Sequence, residues 1–235
     1  MVRTALLTGG PHPFAETTPI LRGLLVDAGC AVTVFDDPDL LARHLESGEV
    51  EMVVANTLRW RMLADRYADR RGAHAYATAP ETAEAVDGWV RGGGRLLACH
   101  GAPVCFDDWP GWGELLGARW NWARSSHPPL APIDVHVSHA EHPLVAGLSD
   151  FTVTDECYGF LDFVGGFEVT PLLTAEHGGA VHPLLWTRTV GEGHVVVCLL
   201  GHGPESFRHP THAEVLRRAV GWLCAAVEPD TKDRP

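Results

Sequence analysis

The sequence predicts an α/β fold with a parallel, doubly wound sheet. Short apolar runs of strand length alternate with amphipathic segments of helix length in the first part of the chain, which is typical of such sheets. The 235 residues can form a full-sized core, and the 46% hydrophobic content is ordinary for a globular chain. Because no internal repeat and no linker is visible, we expect one domain over residues 1–227 and a polar tail over 228–235.

The first strands and helices are predicted from apolar periodicity and from residues that mark helix ends. Thr4 to Thr8 forms the first strand, and the turn after it carries His12 at the carboxyl end of that strand. The first helix is predicted to begin with Thr18 as N-cap and Pro19 at the first helical position, and to end at Gly29. A strand over 32–35, a short helix over 40–45 and a strand over 52–55 follow.

The segment 56–78 interrupts this alternation and is rich in arginine. It contains Trp60, Tyr67 and a set of arginines, namely Arg59, Arg61, Arg66, Arg70 and Arg71. A lid that attracts an anionic substrate is one interpretation, but a solvated helix face or a subunit contact is favoured. Thr78 and Glu81 have the spacing of a capping box, which predicts that the next helix begins there.

A glycine turn, a short apolar strand and reactive side chains follow one another in the stretch Gly92 to Ala102. The pattern predicts a strand, a sharp turn and a helix, as in a nucleophile elbow, which tolerates only small residues two positions before and after its centre. Leu97 would crowd an elbow centred on Cys99, whereas alanines occupy both positions around His100. We therefore predict that the turn presents His100.

Polar side chains follow several of the later predicted elements, which are a helix over 103–117 and strands over 133–137, 151–154, 172–174, 184–188 and 194–200. Asp155, Glu156 and Tyr158 follow the second of these strands, and two carboxylates with a phenol suit acid–base chemistry or ligand binding. His202 follows the last strand between two glycines, and His127 precedes two prolines in an extended segment. Because open α/β sheets bind ligands at the carboxyl ends of their strands, we expect these side chains to meet there.

Charge and composition exclude several classes of partner. The formal net charge of -12 argues against binding of nucleic acid or of an anionic membrane surface. No apolar run has the length of a membrane span or a signal peptide, so we expect a cytoplasmic protein. The 6 cysteines include no Cys-x-x-Cys pair, so neither a disulfide framework nor a structural zinc site is indicated. The 14 histidines are many for this length, and histidine serves proton transfer and metal binding near neutral pH.

Motifs in a fixed order cover nearly the whole chain. They are Gly92 through Ala102, His142-Pro143 with Gly147-Leu148, Asp155-Glu156-x-Tyr158, and Pro183-x-x-Trp186-Thr187-Arg188 through Gly201-His202. Together they resemble the trehalose-utilisation, or ThuA-like, family, which is related in fold to the class I glutamine amidotransferases. The resemblance implies a flavodoxin-like three-layer α/β/α sandwich, with a mostly parallel central sheet, extra strands and a site at the carboxyl edge. His194 replaces the basic residue usual in the last motif.

The resemblance does not extend to amidotransferase chemistry. An amidotransferase of this fold needs a cysteine thiolate on the elbow, activated by a histidine that a glutamate orients. Cys99 would take that position only with the elbow shifted by one residue, and His202 and Glu205 lack the required His-x-Glu spacing. Glutamine hydrolysis through Cys99 is therefore disfavoured.

A site that processes a carbohydrate remains as the leading hypothesis. We expect His100, Glu156 and His202 to be catalytic, and the substrate to contact a further set of residues: His12, His127, Asp155, Tyr158 and Trp186. Two chemistries are open, namely acid–base chemistry on a sugar or keto-sugar, and assistance by a divalent metal such as zinc on the histidine cluster. The alternative is a non-catalytic sugar-binding or accessory protein. Family habit implies a homodimer.

Overall fold

The computed structural model describes residues 1–225, so the tail predicted over 228–235 lies outside the described part. Its first half alternates strands and helices in the predicted order. The elements are β1 (Val2–Gly9), α1 (Phe14–Asp27), β2 (Cys30–Phe35), α2 (Pro38–Leu45), β3 (Met52–Thr57), a 3-10 turn (Asp65–Tyr67), α3 (Ala68–His74), α4 (Pro80–Arg91) and β4 (Arg95–Cys99).

The second half contains most of the antiparallel strands. Its elements are a 3-10 turn (Ala102–Val104), α5 (Pro110–Leu116), β5 (Ala118–Arg119), β6 (Ala131–Val137), β7 (Phe151–Asp155), β8 (Asp162–Phe163), β9 (Leu173–His177), β10 (Ala180–Val190), β11 (Gly193–Cys198), α6 (Pro204–Arg208) and α7 (Pro210–Ala225). Within residues 1–225, no helix combines the length and the apolar character needed to cross a membrane.

The central sheet confirms the predicted fold class. It has 9 strands in the order β2-β1-β3-β4-β11-β10-β9-β6-β7. The first five strands of this order, β2-β1-β3-β4-β11, pair in parallel. The other four, β10-β9-β6-β7, are the predicted extra strands and pair antiparallel with their neighbours. Helices α1 and α7 pack together, whereas α2 packs against α4 and α4 against α5. The helices thus form two groups, as the layers of an α/β/α sandwich require.

The antiparallel extension curls back toward the parallel strands. Each pairing from β11 to β7 reverses the strand direction, so β7 runs like β11 and ends at the same edge of the sheet. The side chain of Asp155, at the end of β7, accepts a hydrogen bond of 2.7 Å from the backbone N–H of Gly201, which follows β11. β10, β9 and β6 lie between these two strands in the sheet, so only a curled sheet can bring them into contact.

Helix α1 begins earlier than predicted. It starts at Phe14 and contains Pro19 in its interior, where proline removes one helical hydrogen bond. The hydroxyl of Thr18 does not cap a helix but lies 2.6 Å from the hydroxyl of Thr8 on β1. The packing of α1 on the sheet, with Leu21 and Leu25 fully buried, outweighs the local preference of proline for a helix start.

Two other helix predictions were wrong for a similar reason. The capping box at Thr78 does not form, because its hydroxyl donates to Asp108 and the helix begins with Pro80. The helix predicted over 103–117 is confined to α5, since the preceding residues form a 3-10 turn and Phe106 has a left-handed φ of 52°. In both places a contact distant in sequence replaces the local signal, since the backbone N–H of Phe106 donates to the carbonyl of Arg59 at 2.8 Å.

Candidate functional site

The turn after β4 presents His100, as the small-residue rule predicts. His100 has a φ of 42°. This is the left-handed region of backbone conformation, which a sharp turn requires and which residues other than glycine rarely adopt. Ala98 and Ala102, on either side, are fully buried. Gly101 is also enclosed, since a Cβ atom there would lie 2.9 Å from a methyl carbon of Leu58. The predicted helix after the turn is only a short 3-10 turn.

Four polar side chains meet at the carboxyl edge of the sheet, and we call them the His-Glu cluster: His12, His100, Glu156 and His202. They follow β1, β4, β7 and β11, respectively. One nitrogen or carboxylate oxygen of each lies within 4.8 Å of those of the others. The curled sheet is what brings Glu156 to the three histidines, which follow parallel strands.

The facing atoms of the His-Glu cluster are close but not aligned with one another. Glu156 Oε2 lies 3.0 Å from His202 Nδ1 and 3.5 Å from His100 Nε2. Even so, these three atoms and Nδ1 of His12 are buried without a hydrogen-bond partner among the described residues. Buried polar atoms are nearly always paired, so four orphans at one place call for an explanation. Atoms that face a common point rather than each other are the arrangement expected of metal ligands.

The tautomer of His100 follows from its backbone contact. Nδ1 lies 3.0 Å from the carbonyl oxygen of Leu199, which can only accept, so Nδ1 carries a proton and donates. In the neutral imidazole, Nε2 would then point a lone pair at the Glu156 carboxylate 3.5 Å away. That repulsion is removed if His100 is protonated or if a cation lies between the two groups.

The charges in the cluster are strongly coupled. Burial disfavours charge on His100, but Glu156, Asp155 and the Leu199 carbonyl outweigh it and raise the pKa of His100. Burial would raise the pKa of Glu156, yet His100 and His202 lower it well below its usual range. Burial, helped by His100 and His202, lowers the pKa of His12 to about 3. At neutral pH, His12 is therefore neutral, with a lone pair available, and Glu156 is ionised.

Asp155 positions the backbone beneath the cluster. Its side chain is fully buried and accepts hydrogen bonds from three backbone N–H groups, those of Glu156 (2.8 Å), Gly201 (2.7 Å) and His202 (3.2 Å). It thereby ties the end of β7 to the loop after β11. Asp155 was predicted to contact substrate; because both of its carboxylate oxygens accept hydrogen bonds from the backbone, we interpret it as a positioning residue.

Replacing Asp155 by asparagine is expected to lower the free energy of unfolding by about 2 kcal/mol, because an amide cannot accept at both of its terminal atoms. For a chain of this size, the melting temperature should fall by about 4–8 °C. Thermal denaturation followed by circular dichroism measures the change. Asp27→Asn, at an exposed site in α1, is the matched control and should leave the melting temperature within about 2 °C. Equal melting temperatures for Asp155→Asn and wild type would contradict the assigned role.

Tyr158 and His127 form one wall beside the cluster. The ring of Tyr158 lies 4.7 Å from that of His100 and 5.1 Å from that of His127, between centroids. His127 Nδ1 lies 3.4 Å from Glu156 Oε1. Burial and the nearby carboxylates of Glu156 and Asp155 raise the pKa of Tyr158 well above its usual value, so the phenol stays protonated and acts as a hydrogen-bond donor.

A cavity of about 190 Å³ lies beside the cluster, and we call it the inner cavity. Its lining includes His12 of the cluster together with His127, Tyr158, Trp120 and Trp122. The arginine-rich segment contributes a further set of lining residues: Leu58, Trp60, Met62, Tyr67 and Arg70. The segment 56–78 is thus part of the cavity wall. The aromatic residues of this segment, Trp60 and Tyr67, which follow β3 in the chain, were the signal for this in the sequence.

Two residues considered from the sequence lie away from the cavity. Trp186 was predicted to contact substrate, but its side chain is fully buried and donates to the carbonyl of Leu116 at 2.9 Å, so it is a core residue. Cys99 is also fully buried, beside Cys198 on the neighbouring strand, and burial raises the pKa of its thiol well above the usual value. A protonated, enclosed thiol lacks both properties of a cysteine nucleophile.

Comparisons with known proteins agree with this architecture. The model of the ThuA family, described as trehalose utilisation, matches residues 5–223. A ThuA-like protein of Parabacteroides merdae has a TM-score of 0.76 at 18% identity, with 100% of this chain and 93% of that chain covered. A ThuA-like protein of Bacteroides uniformis has a TM-score of 0.69 at 17% identity, with 94% of this chain and 91% of that chain covered. A cytoplasmic protein of Salmonella typhimurium has a TM-score of 0.60 at 13% identity, with 94% of this chain and 99% of that chain covered. No curated protein matches the chain in sequence.

Proposed function

Because the chain belongs to the ThuA family of trehalose utilisation, we propose that it processes a sugar in the inner cavity with the His-Glu cluster. The observation that carries the proposal is the convergence of four buried polar atoms without a hydrogen-bond partner, one of which belongs to His12 in the lining of that cavity. A convergence of polar groups with perturbed pKa values in a cavity is the usual signature of an active site. The aromatic walls suit the apolar faces of sugar rings.

The donor set of the cluster fits a divalent cation such as zinc. Three imidazoles and one carboxylate are ordinary zinc ligands, and ligand atoms at the corners of a zinc tetrahedron are about 3.3 Å apart. The separations of 3.0 Å and 3.5 Å between Glu156 Oε2 and the facing nitrogens of His202 and His100 are close to that value. When bound, such a cation polarises a carbonyl or lowers the pKa of a coordinated water.

The surrounding residues fix the ligands and the substrate. The Leu199 carbonyl holds the tautomer of His100, and Asp155 holds the backbone that carries Glu156 and His202. Contacts of this kind orient metal ligands and strengthen binding. Tyr158 donates a hydrogen bond toward a sugar oxygen, and the tryptophans of the inner cavity exclude water from the ring.

A second candidate mechanism uses the same residues without a cation. The raised pKa of His100 beside the ionised Glu156 gives an acid and a base in contact, which is the arrangement needed for proton transfer to and from a sugar oxygen. The two mechanisms differ in what removes the repulsion between His100 Nε2 and Glu156, a cation or a proton.

Elemental analysis of the purified protein, combined with turnover assays on trehalose and 3-keto sugars, tests the proposal. We expect a stoichiometric divalent cation, loss of turnover after chelation and recovery on addition of zinc. Turnover by a protein that contains no cation, or turnover that persists after treatment with a chelator, would replace the metal-assisted mechanism with the acid–base one. Sugar binding without turnover in any condition would contradict catalysis and leave a non-catalytic sugar-binding protein.

A further inference from the structure

One arginine of the segment 56–78 differs from the others in its contacts. The other four each contact a partner within residues 1–225 through the guanidinium: Arg59 (the Asp36 carbonyl), Arg61 (Asp107), Arg66 (the Tyr67 ring) and Arg71 (the carbonyls of Met62, Leu63 and Ala64). Arg70, in α3, is exposed and has no such partner in that part of the chain. It lines the inner cavity, so its charge is available to a ligand there.

The polar side chains that line the inner cavity are mostly hydrogen-bond donors. The guanidinium of Arg70 donates only, and the indole N–H of each of the three lining tryptophans cannot accept either. Within the described residues, the lining contains no carboxylate and no side-chain amide. A sugar hydroxyl both donates and accepts, whereas a carboxylate or a phosphate oxygen mainly accepts. This lining therefore favours a ligand that is rich in acceptors.

Arg70 borders the same cavity as the His-Glu cluster. The lining contains both Arg70 and His12, which belongs to the cluster. Since the volume is only about 190 Å³, a ligand that fills the cavity contacts both residues. Arg70 is exposed, whereas Met62 and Tyr158 in the same lining are buried, so Arg70 borders the cavity from the solvent side.

The charge of Arg70 is of the sign and shape that an anion requires. The planar guanidinium donates two parallel hydrogen bonds to a carboxylate or a phosphate. The formal net charge of the chain is -12, which repels anions in general, so an anionic ligand needs a local cation. The segment 56–78 supplies one, since it holds five arginines and two aspartates.

We propose that the sugar taken by the inner cavity carries an anionic group, a carboxylate or a phosphate, and that Arg70 binds this group. This inference rests on the proposed function and deepens it, because it names the class of substrate for the same site. Arg70 holds the anion at the solvent side, and the ring of the sugar lies against the tryptophans with its reacting atom toward the His-Glu cluster. A neutral sugar gains no ionic contact with Arg70.

Isothermal titration of the purified protein with glucose, glucuronate and glucose 6-phosphate tests this inference by binding alone. Wild type should bind at least one of the anionic sugars about tenfold or more tightly than glucose, the effect of a charged hydrogen bond. The anionic sugar that binds more tightly identifies the group as a carboxylate or a phosphate. Arg70→Gln should remove the preference, and Arg70→Lys, which keeps the charge without the planar fork, should retain part of it.

Arg66→Gln is the matched control for this loss of charge. Arg66 is exposed in the same segment but does not line the inner cavity. Arg66→Gln should therefore keep the preference of wild type. Equal loss of the preference in Arg66→Gln and Arg70→Gln would attribute it to the overall charge of the segment and overturn the role of Arg70. Melting curves establish that each variant is folded.

The other outcomes separate this inference from the proposed function. Equal affinity of wild type for all three sugars would overturn the inference and leave the proposed function standing. A preference that survives in Arg70→Gln would overturn it as well, because another group, such as a cation in the His-Glu cluster, would then hold the anion. Absence of binding to every sugar would overturn the inference together with the proposed function.

Discussion

Replacing Glu156 by glutamine is expected to lower sugar turnover by about 100- to 10,000-fold, the range for loss of a positioned acid–base group. Its carboxylate oxygens lie within 3.5 Å of nitrogens of His100, His202 and His127, and glutamine keeps this shape without the charge. Loss of the charge removes the anionic ligand of a cation. It also removes the group that raises the pKa of His100, so both mechanisms predict the same direction.

Turnover and metal content, measured on the same samples, check this prediction. Glu192→Gln makes the identical chemical change at an exposed position in the turn before β11, and it should have wild-type values of both. Loss of turnover with full metal content would favour the acid–base mechanism. Turnover of Glu156→Gln within about threefold of wild type would remove Glu156 from the reaction, since that corresponds to well under 1 kcal/mol.

The sequence predicted most of the site because its residues follow parallel strands. His12, His100 and His202 follow β1, β4 and β11, whose carboxyl ends must meet at one edge. The residue at the centre of the elbow could also be predicted. Leu97 is too large for an elbow centred on Cys99, whereas the alanines two positions before and after His100 permit the φ of 42° that His100 adopts. These inferences need only strand direction and local sterics.

The curl of the sheet that brings Glu156 to this edge, and the helix starts, could not be predicted in this way. Glu156 reaches the cluster because the antiparallel extension curls, and strand order and curvature depend on long-range pairings that no local pattern encodes. Pro19 lies inside α1 and Thr78 donates to Asp108 because packing and distant partners outweigh local preferences. Trp186 belongs to one of the motifs that resemble the ThuA family, but its side chain lies in the core. A motif alone does not show whether a residue packs in the core or binds a ligand.

Replacing Trp186 by alanine is expected to lower the free energy of unfolding by about 3–5 kcal/mol, as for other large aromatic residues removed from a core. Its side chain is fully buried, its ring lies 6.1 Å from that of Phe163, and its N–H donates to Leu116 at 2.9 Å. The variant leaves a cavity and removes the donor of that carbonyl. The melting temperature should fall by about 6–20 °C, which thermal denaturation measures.

Trp122→Ala is the matched control for this stability change, because the same atoms are removed from a side chain that is 45% exposed. It should cost less than about 1 kcal/mol, as expected for a surface position. Trp186→Phe keeps most of the core volume and loses only the hydrogen bond, so it should cost about 1–2 kcal/mol. A folded Trp186→Ala protein with a wild-type melting temperature and impaired sugar binding would reverse the assignment, making Trp186 a substrate contact. If Trp186→Ala loses stability and Trp122→Ala does not, Trp186 is a core residue, whereas Trp122 is a residue of the cavity wall.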